Sequence, residues 1–300
     1  SYSMDHMIWL IGNKGMLGTE LSRQLKEAGL SFTGTDRELS ILEPQTLRQF
    51  ASDLEKPLRW IINCAAYTAV DKAEDDQDLC YALNAQGPEN LARLASESGA
   101  SLLHLSTDYV FSGDGSTPYD EDAPHNPGGV YGRSKSEGEK RASSLCKRLV
   151  VLRTAWLYGR HGPNFVYTML RLMKERQELA VVNDQKGSPT WAADLAAAII
   201  KIVQSPAPVY GNYHYTNDGV CTWYEFAREI ERLGNEYGLL ERSIPIQPLS
   251  SNAYPTKAKR PAYSVLSKTR ISRDYDVILP DWKQSLKTFI ADLAQNSETI

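Results

Sequence analysis

A strand, a glycine-rich turn and a helix follow one another at the start of the chain, and this feature constrains the fold most. Met7–Ile11 is an apolar run that ends at Gly12, as expected for a buried strand of a parallel sheet. Apolar residues then recur at helical spacing over residues 17–28. Gly12, Gly15 and Gly18 therefore lie on a strand-to-helix turn, where a backbone can approach a pyrophosphate closely. Each glycine alone is also compatible with a simple turn.

The charged residues after the second predicted strand bear on the choice of nucleotide. Leu30–Thr35 is the predicted strand, and Asp36 and Arg37 follow it directly. A carboxylate at this place accepts hydrogen bonds from the adenosine ribose, whereas an arginine there meets a 2′-phosphate. The pattern therefore leaves both NADH and NADPH open. Arg37 is equally compatible with a solvated surface charge.

Further strands alternate with helices up to about residue 157. The predicted strands are Arg59–Cys64, Ser101–Leu105 and Leu149–Thr154. A helical region over residues 71–99, broken near Gly87 and Pro88, lies between the first two. Such alternation predicts an α/β fold with a Rossmann-like doubly wound parallel sheet. Residues that let a cofactor lie close to the backbone follow the first of these strands; they are Ala65, Ala66, Tyr67 and Thr68.

The pattern loosens after residue 157. Helices are predicted at 164–174, 192–203, 223–233 and 281–293, with a short strand at 179–182 and a proline-punctuated loop between 243 and 261. We predict that residues 4–157 form the dinucleotide-binding unit. Residues 158–300 mostly form a smaller, interleaved substrate-binding lobe, with the helix at 191–204 packing back on the first unit.

A tyrosine and a lysine share one face of the helix predicted over residues 131–143. Tyr131 lies four positions before Lys135, and the nearby ammonium is expected to favour the phenolate and lower the tyrosine pKa. Such a phenol can protonate a carbonyl oxygen while hydride arrives from a nicotinamide. Thr107 follows the strand at 101–105, so its hydroxyl can hydrogen-bond the same oxygen. The plainer interpretations are a snorkelling lysine and a strand-end cap.

Charge balance and residue spacing exclude several other functions. Lys and Arg number 33 against 37 Asp and Glu, a net charge of −4, so no basic excess is available for nucleic acid or an anionic membrane. The four cysteines and five histidines show no metal-binding spacing, and no Gly-x-Ser-x-Gly elbow occurs. No apolar run approaches the roughly 20 residues of a membrane span, so we expect a cytoplasmic protein.

Five segments in order carry a resemblance to a known family. They are Cys64–Glu74, Ser106–Phe111, Val130–Lys135, Arg153–Tyr158, and Asn183–Gln185 with Gly187–Thr190. Together they resemble the extended short-chain dehydrogenase/reductase superfamily and, within it, the dTDP-4-dehydrorhamnose reductases. The resemblance runs along nearly the whole chain. It implies reduction of the C4 ketone of dTDP-4-dehydro-L-rhamnose with NADPH or NADH, and it leaves a homodimer open.

The resemblance also implies a role for each site residue. Tyr131 would donate the proton, Lys135 would bind the nicotinamide ribose and tune Tyr131, and Thr107 would complete the catalytic triad. Thr107, Asp108 and Trp156 would contact the sugar nucleotide, with Trp156 as a plain core residue being the competing interpretation. The predicted cofactor-binding set, besides Tyr131 and Lys135, is Gly12, Gly15, Met16, Leu17, Gly18, Asp36, Arg37, Ala65, Ala66, Tyr67 and Thr68.

Two departures from the family pattern affect the cofactor and metal predictions. Ser40 stands where many members have an aspartate near the adenine. Some members bind magnesium between subunits through several glutamates, of which Glu20 is retained while Ala193 stands at another such position. We therefore predict no metal site.

Two alternative functions stay open at this point. A sugar-nucleotide epimerase or dehydratase of the same superfamily is one, although Tyr109 follows Asp108 where dehydratases typically have a second acid. A non-catalytic regulatory subunit, similar to that of methionine adenosyltransferase, is the other.

Overall fold

The computed structural model describes residues 5–296, and six of the strands in this part of the chain assemble into one parallel sheet. This main sheet has the order β10-β5-β4-β3-β1-β2, and all neighbouring pairs in it are parallel. The strands are β1 (Met7–Ile11), β2 (Phe32–Thr35), β3 (Leu58–Asn63), β4 (Ser101–Thr107), β5 (Leu149–Thr154), β6 (Leu157–Tyr158), β7 (Leu179–Val182), β8 (Lys186–Gly187), β9 (Thr190–Trp191), β10 (Gly211–His214), β11 (Cys221–Thr222) and β12 (Ile246–Leu249).

Helices connect these strands and cover the main sheet. They are α1 (Met16–Glu27), α2 (Pro44–Ser52), α3 (Gln77–Tyr81), α4 (Gly87–Ser98), α5 (Val130–Leu145), α6 (Phe165–Glu175), α7 (Ala192–Gln204), α8 (Trp223–Glu236), α9 (Thr269–Tyr275) and α10 (Trp282–Asn296). A π-helical turn at Ala82–Gln86 joins α3 to α4.

Each face of the main sheet buries a separate core, because successive side chains of a strand point to opposite sides. Ile8 and Leu10 of β1 join the core beneath α1 and α7, whereas Trp9 and Ile11 join the core beneath α2, α4 and α5. A strand covered on both faces must be apolar along its whole length, which explains the run at 7–11. The predicted doubly wound parallel sheet is confirmed.

The helical region after β3 differs from its prediction at Gly87 and Pro88. The chain does not break there, because the π-helical turn runs directly into α4. Pro88 lies in the first turn of α4, where a missing N–H is tolerated. A Cβ on Gly87 would lie 2.3 Å from Cδ1 of Ile41, so this glycine serves close packing rather than a turn.

The sequence pattern misses the four-residue strands β10 and β12 as well as the two-residue strands β6, β8, β9 and β11. β10 closes the main sheet beside β5, although Gly-Asn-Tyr-His contains no apolar run. β12 lies inside the predicted proline-punctuated loop and is therefore a correction to it. Within the described residues β12 pairs with β7 alone, and such an edge strand tolerates Pro248.

The C-terminal part of the chain builds its own core and also contributes to the main sheet. Helices α6, α8 and α10 pack around Phe226, apart from the sheet. β10 and α7 instead belong with the main sheet, because β10 extends the sheet and α7 packs against α1. The division at residue 157 stays a prediction, and its outer ends, Met4 and Ile300, lie outside the described residues.

Candidate active site

The turn between β1 and α1 brings backbone atoms so close together that side chains do not fit. Gly12 adopts φ +81°, and a Cβ there would lie 2.8 Å from the Ala65 nitrogen. A Cβ on Gly18 would lie 1.9 Å from the Gly12 carbonyl oxygen. Gly15 precedes α1 as its N-cap and offers no side-chain oxygen to the first turn. The N–H groups at this helix N-terminus can therefore bind a phosphate, so the turn fits the pyrophosphate of a dinucleotide.

The other predicted cofactor residues border this turn. The Gly12 nitrogen donates to the Thr35 carbonyl oxygen (2.8 Å), which places the end of β2 beside the turn. Asp36 is half-buried there, and Arg37 is exposed next to it. The rest of the set lies at the start of α1 (Met16, Leu17) and directly after β3 (Ala65, Ala66, Tyr67 and Thr68). The structure thus brings the whole predicted set to one edge of the sheet.

Asn84 ties the segment after β3 to α5, and the sequence reasoning misses it. Its Oδ1 accepts from the Tyr67 nitrogen (2.9 Å), and its Nδ2 donates to the Tyr67 carbonyl oxygen (3.0 Å) and to Oγ of Ser134 (3.1 Å). Asn84 lies in the π-helical turn, a rare conformation that is frequent at functional sites. The irregular helical pattern before Gly87 is the one signal that could have found it.

Thr107, Tyr131 and Lys135 meet where β4 ends against α5. Thr107 is the last residue of β4, and α5 carries Tyr131 and Lys135 one turn apart. Lys135 is buried, and its Nζ donates to the carbonyl oxygen of Leu105 (2.8 Å). The ring of Tyr131 packs edge-on against Tyr109, with centroids 5.4 Å apart. The predicted triad therefore lies together at the carboxyl edge of the sheet.

Burial sets the proton affinity of both groups on α5. The pKa of Tyr131 is raised above its ordinary value because burial disfavours the phenolate, and the Thr107 hydroxyl opposes this shift. The predicted lowering of the Tyr131 pKa is therefore wrong. Burial lowers the pKa of Lys135 to about 8, with the Glu139 carboxylate opposing. The phenol thus keeps its proton at neutral pH, and Lys135 carries its charge only below about pH 8.

Asp108 is a buried carboxyl with unused hydrogen-bonding capacity. Its Oδ1 accepts from Oγ1 of Thr107 (3.0 Å), whereas Oδ2 has no hydrogen-bond partner within residues 5–296. Burial raises its pKa to about 7, and the hydroxyls of Thr107 and Ser264 counteract this. A sugar hydroxyl is the kind of donor that Oδ2 can accept.

Trp156 follows β5 in a conformation that tryptophan rarely adopts. Its φ is +52°, in the left-handed region. Its indole stacks on Trp223, with centroids 3.6 Å apart and an interplanar angle of 14°. Both side chains are only partly buried. Trp156 thus packs against the edge of the lobe core with part of its side chain exposed, and its contact with a sugar stays a prediction.

A buried ion pair below the triad is a second feature that the sequence reasoning misses. Glu139, one turn after Lys135 on α5, accepts from Oγ of Ser106 (2.5 Å) and forms a salt bridge with Arg153 of β5 (2.7 Å). Arg153 also donates to the carbonyl oxygen of Glu121 (3.0 Å). Because both charges are buried and paired, they fix α5 against β4 and β5.

The residues considered for a metal serve other contacts. Glu20 pairs with Arg23, and Gln24 donates to the carbonyl oxygen of Ala193 (2.9 Å). Over the described part of the chain, no group of three or more His, Cys, Asp or Glu side chains is arranged to hold a metal ion. In the same part, every helix is too short or too polar to cross a bilayer.

The structure combines a doubly wound sheet, a tight glycine turn after its first strand, and Thr, Tyr and Lys together at its carboxyl edge. This combination defines an extended short-chain dehydrogenase/reductase. Comparison with known proteins narrows this class. The family described as "RmlD substrate binding domain" matches residues 6–295, and the chain belongs to that family.

Individual relatives match along nearly the whole chain. A dTDP-4-dehydrorhamnose reductase of Salmonella typhimurium is 37% identical over 300 residues, covering 95% of this chain and 97% of the relative. A spore coat polysaccharide biosynthesis protein of Bacillus subtilis is 39% identical over 287 residues, with the same coverage of 95% and 97%. The crystal structure of a dTDP-4-dehydrorhamnose reductase from Bacillus anthracis in complex with NADP has a TM-score of 0.89 at 37% identity, covering 96% of this chain and 100% of that one. The predicted family is confirmed.

Proposed function

We propose that this chain reduces the C4 ketone of dTDP-4-dehydro-L-rhamnose to dTDP-L-rhamnose, with NADPH or NADH as reductant. The observation that carries the proposal is the meeting of Thr107, Tyr131 and Lys135 at the sheet edge that also holds the glycine turn. The names of the relatives indicate the substrate and the reaction. Because all three catalytic residue types are present, a purely regulatory role is disfavoured.

Tyr131 acts as the general acid. Its raised pKa keeps the phenol protonated at neutral pH, so that the proton is available to the C4 oxygen. A bound nicotinamide supplies hydride to C4 of the sugar. When the ketone binds, the Thr107 hydroxyl turns its hydrogen from Oδ1 of Asp108 to the carbonyl oxygen and orients it by a second hydrogen bond. Lys135 is anchored on the Leu105 carbonyl oxygen, and its remaining N–H groups are available to the cofactor ribose.

The cofactor is held along the ends of β1, β2 and β3. The turn of Gly12, Gly15 and Gly18 receives the pyrophosphate, and Asp36 and Arg37 receive the adenosine ribose. Asp36 favours NADH and Arg37 favours NADPH, so both are candidates. In this proposal the unit at 4–157 binds the cofactor. The predicted cytoplasmic location and homodimer stay predictions.

The sugar nucleotide lies between this edge and the C-terminal lobe. The free Oδ2 of Asp108 accepts from a sugar hydroxyl, and Trp156 offers an apolar surface to the 6-deoxy sugar. Asp108 follows β4 and Trp156 follows β5, and these are neighbouring strands of the sheet. The two residues therefore border the same end of the cleft as the triad.

Turnover with identified product tests the proposal. Purified protein is given dTDP-4-dehydro-L-rhamnose and either NADPH or NADH, and the C4 configuration of the product is read by NMR. We expect one reduced cofactor to be consumed per dTDP-L-rhamnose formed. Sugar-nucleotide conversion without net cofactor consumption would indicate an epimerase or dehydratase instead. No turnover by protein with an intact circular dichroism spectrum would contradict the proposal.

A further inference from the structure

Trp156 is held in a strained conformation that its own sequence neighbours do not explain. A bulky side chain at φ +52° is disfavoured, and such outliers persist only where surrounding contacts determine them. The backbone at Trp156 is held by a hydrogen bond from the Thr190 nitrogen to the Trp156 carbonyl oxygen (3.0 Å). The orientation of the indole must therefore come from its packing partners.

The main packing partner is Trp223, and its own position is fixed at several points. Trp223 is the first residue of α8, which begins with a capping box between Thr222 and Glu225. Its Nε1 donates to Oε1 of Gln185 (3.1 Å), and Nε2 of Gln185 donates to Oγ of Ser251 (3.0 Å). Gln185 is buried, so this hydrogen bond is shielded from water. The Trp223 ring is thus a fixed platform for the Trp156 indole.

A second contact connects the indole with the substrate side of the triad. A Cβ on Gly187 would lie 2.7 Å from the Trp156 ring and 2.8 Å from Oγ of Ser264. Ser264 also lies beside Asp108, and its hydroxyl helps to lower the pKa of that carboxyl. One continuous wall is therefore built from four separate segments of the chain. Its residues are Trp156, Gly187, Ser264 and Asp108.

We propose that Trp223 and Gln185 are positioning residues that hold the Trp156 indole against the sugar nucleotide. The inference rests on the proposed function, because it requires Trp156 to contact the sugar. Neither Trp223 nor Gln185 touches the reacting atoms. Their removal therefore weakens sugar-nucleotide binding and leaves the chemical step and cofactor binding intact.

Paired variants with separate kinetic and spectroscopic readouts test this. Trp223→Leu should raise KM for the sugar nucleotide about tenfold while kcat changes less than about twofold, as expected for loss of binding common to ground and transition states. The NADPH Kd should not change. Trp223→Phe keeps an aromatic platform and should recover most of the KM loss. Gln185→Leu should give a smaller increase in KM for the sugar nucleotide than Trp223→Leu.

The circular dichroism of the two stacked indoles reports the geometry independently of activity. Their coupled band should disappear equally in Trp223→Phe and Trp156→Phe, with no further loss in the double variant. Trp191→Leu is the matched control, because Trp191 is a partly buried tryptophan of the same lobe that packs on Phe289 instead (6.2 Å between centroids). It should lower the thermal unfolding midpoint without changing KM.

The outcomes separate the inference from the proposed function. A wild-type KM in Trp223→Leu, with a raised KM in Trp156→Leu, would overturn the positioning role alone. Equal KM increases in Trp223→Leu and Trp191→Leu would also overturn it, since general destabilisation would then suffice. A wild-type KM in Trp156→Leu would show that Trp156 does not contact the sugar nucleotide. Turnover of the wild-type protein would still decide whether the proposed reduction takes place.

Discussion

The nucleotide side of the cleft and its sugar side are built in different ways. On the nucleotide side, Gly12, Gly18 and Asp36 lie within one strand-turn-helix-strand unit, and a Cβ on either glycine would come within 3 Å of backbone atoms. On the sugar side, Trp156 and Trp223 are 67 positions apart (223 − 156). Their rings stack, and a hydrogen bond from Trp223 to Gln185 fixes the second ring. The first surface is local and sterically rigid, whereas the second depends on packing between distant segments.

This difference implies that the two sides can be damaged separately. A change in the glycine turn should affect cofactor binding, and a change in the tryptophan pair should affect sugar-nucleotide binding. The triad lies between the two sides, with Lys135 facing the cofactor ribose and Thr107 facing the sugar. Loss of the Tyr131 hydroxyl alone should therefore leave both binding steps nearly intact.

The largest expected effect is the loss of the general acid. Tyr131→Phe should lower kcat by on the order of 10² or more, because phenylalanine has no hydroxyl to give a proton to the C4 oxygen. Stopped-flow turnover measures the rate, and fluorescence titration measures the NADPH Kd. The Kd should stay close to the wild-type value; a Kd raised as much as kcat is lowered would mean that Tyr131 serves binding rather than chemistry.

The next largest expected effect is a loss of cofactor binding without a change in sugar-nucleotide binding. In Gly18→Ala the added Cβ would lie 1.9 Å from the Gly12 carbonyl oxygen, so the turn must shift away from its phosphate-binding geometry. We expect the NADPH Kd to rise by about tenfold or more and stability to fall by about 1–3 kcal/mol. At saturating cofactor, KM for the sugar nucleotide should not change.

Gly128→Ala is the control for this variant, because a Cβ on Gly128 would meet no atom within 4 Å. Wild-type cofactor binding in both variants would contradict the steric role of Gly18. A change in sugar-nucleotide KM in Gly18→Ala alone would show that the two sides are coupled.

The pH dependence of kcat/KM sharpens the comparison further. Asp108 has a pKa raised to about 7, so its carboxylate forms as the pH rises through that value. Lys135 has a pKa lowered to about 8, so its charge is lost as the pH rises through that value. The profile of the free enzyme should therefore have a maximum between these two pKa values. In Asp108→Asn the limb on the acid side should disappear, while the alkaline limb stays; an unchanged acid limb would mean that Asp108 does not titrate in the active range.

The smallest expected effect concerns the choice of nucleotide. Arg37 is exposed, so its contact with a 2′-phosphate is screened by solvent. Arg37→Ala should weaken NADPH binding by about threefold to tenfold and leave NADH binding unchanged. Titration with both cofactors measures the ratio. An equal effect on NADPH and NADH would show that Arg37 does not read the 2′-phosphate.

Local patterns were sufficient to predict the glycine turn and the fold around it. Strands β1 and β5 and the start of α8 at Trp223 are where the sequence places them, because apolar runs and helical periodicity act over a few positions. The fold class and the family are confirmed.

The features that the sequence does not reveal depend on distant partners. β10 is a strand because β5 offers it an edge, and nothing within Gly211–His214 predicts that. The bridge of Asn84 to Tyr67 and Ser134 needs three segments in place. The raised pKa of Tyr131 follows from burial, which spacing to a lysine does not disclose.

The proton transfer from Tyr131 is tested most directly by a solvent isotope effect on a single turnover. Enzyme saturated with NADPH is mixed with dTDP-4-dehydro-L-rhamnose in H₂O and in D₂O, and NADPH absorbance is followed for wild type and Tyr131→Phe. If the phenol delivers its proton during reduction, the wild-type rate is lower in D₂O and this difference is lost in Tyr131→Phe. The same isotope effect in both proteins would contradict Tyr131 as the proton donor.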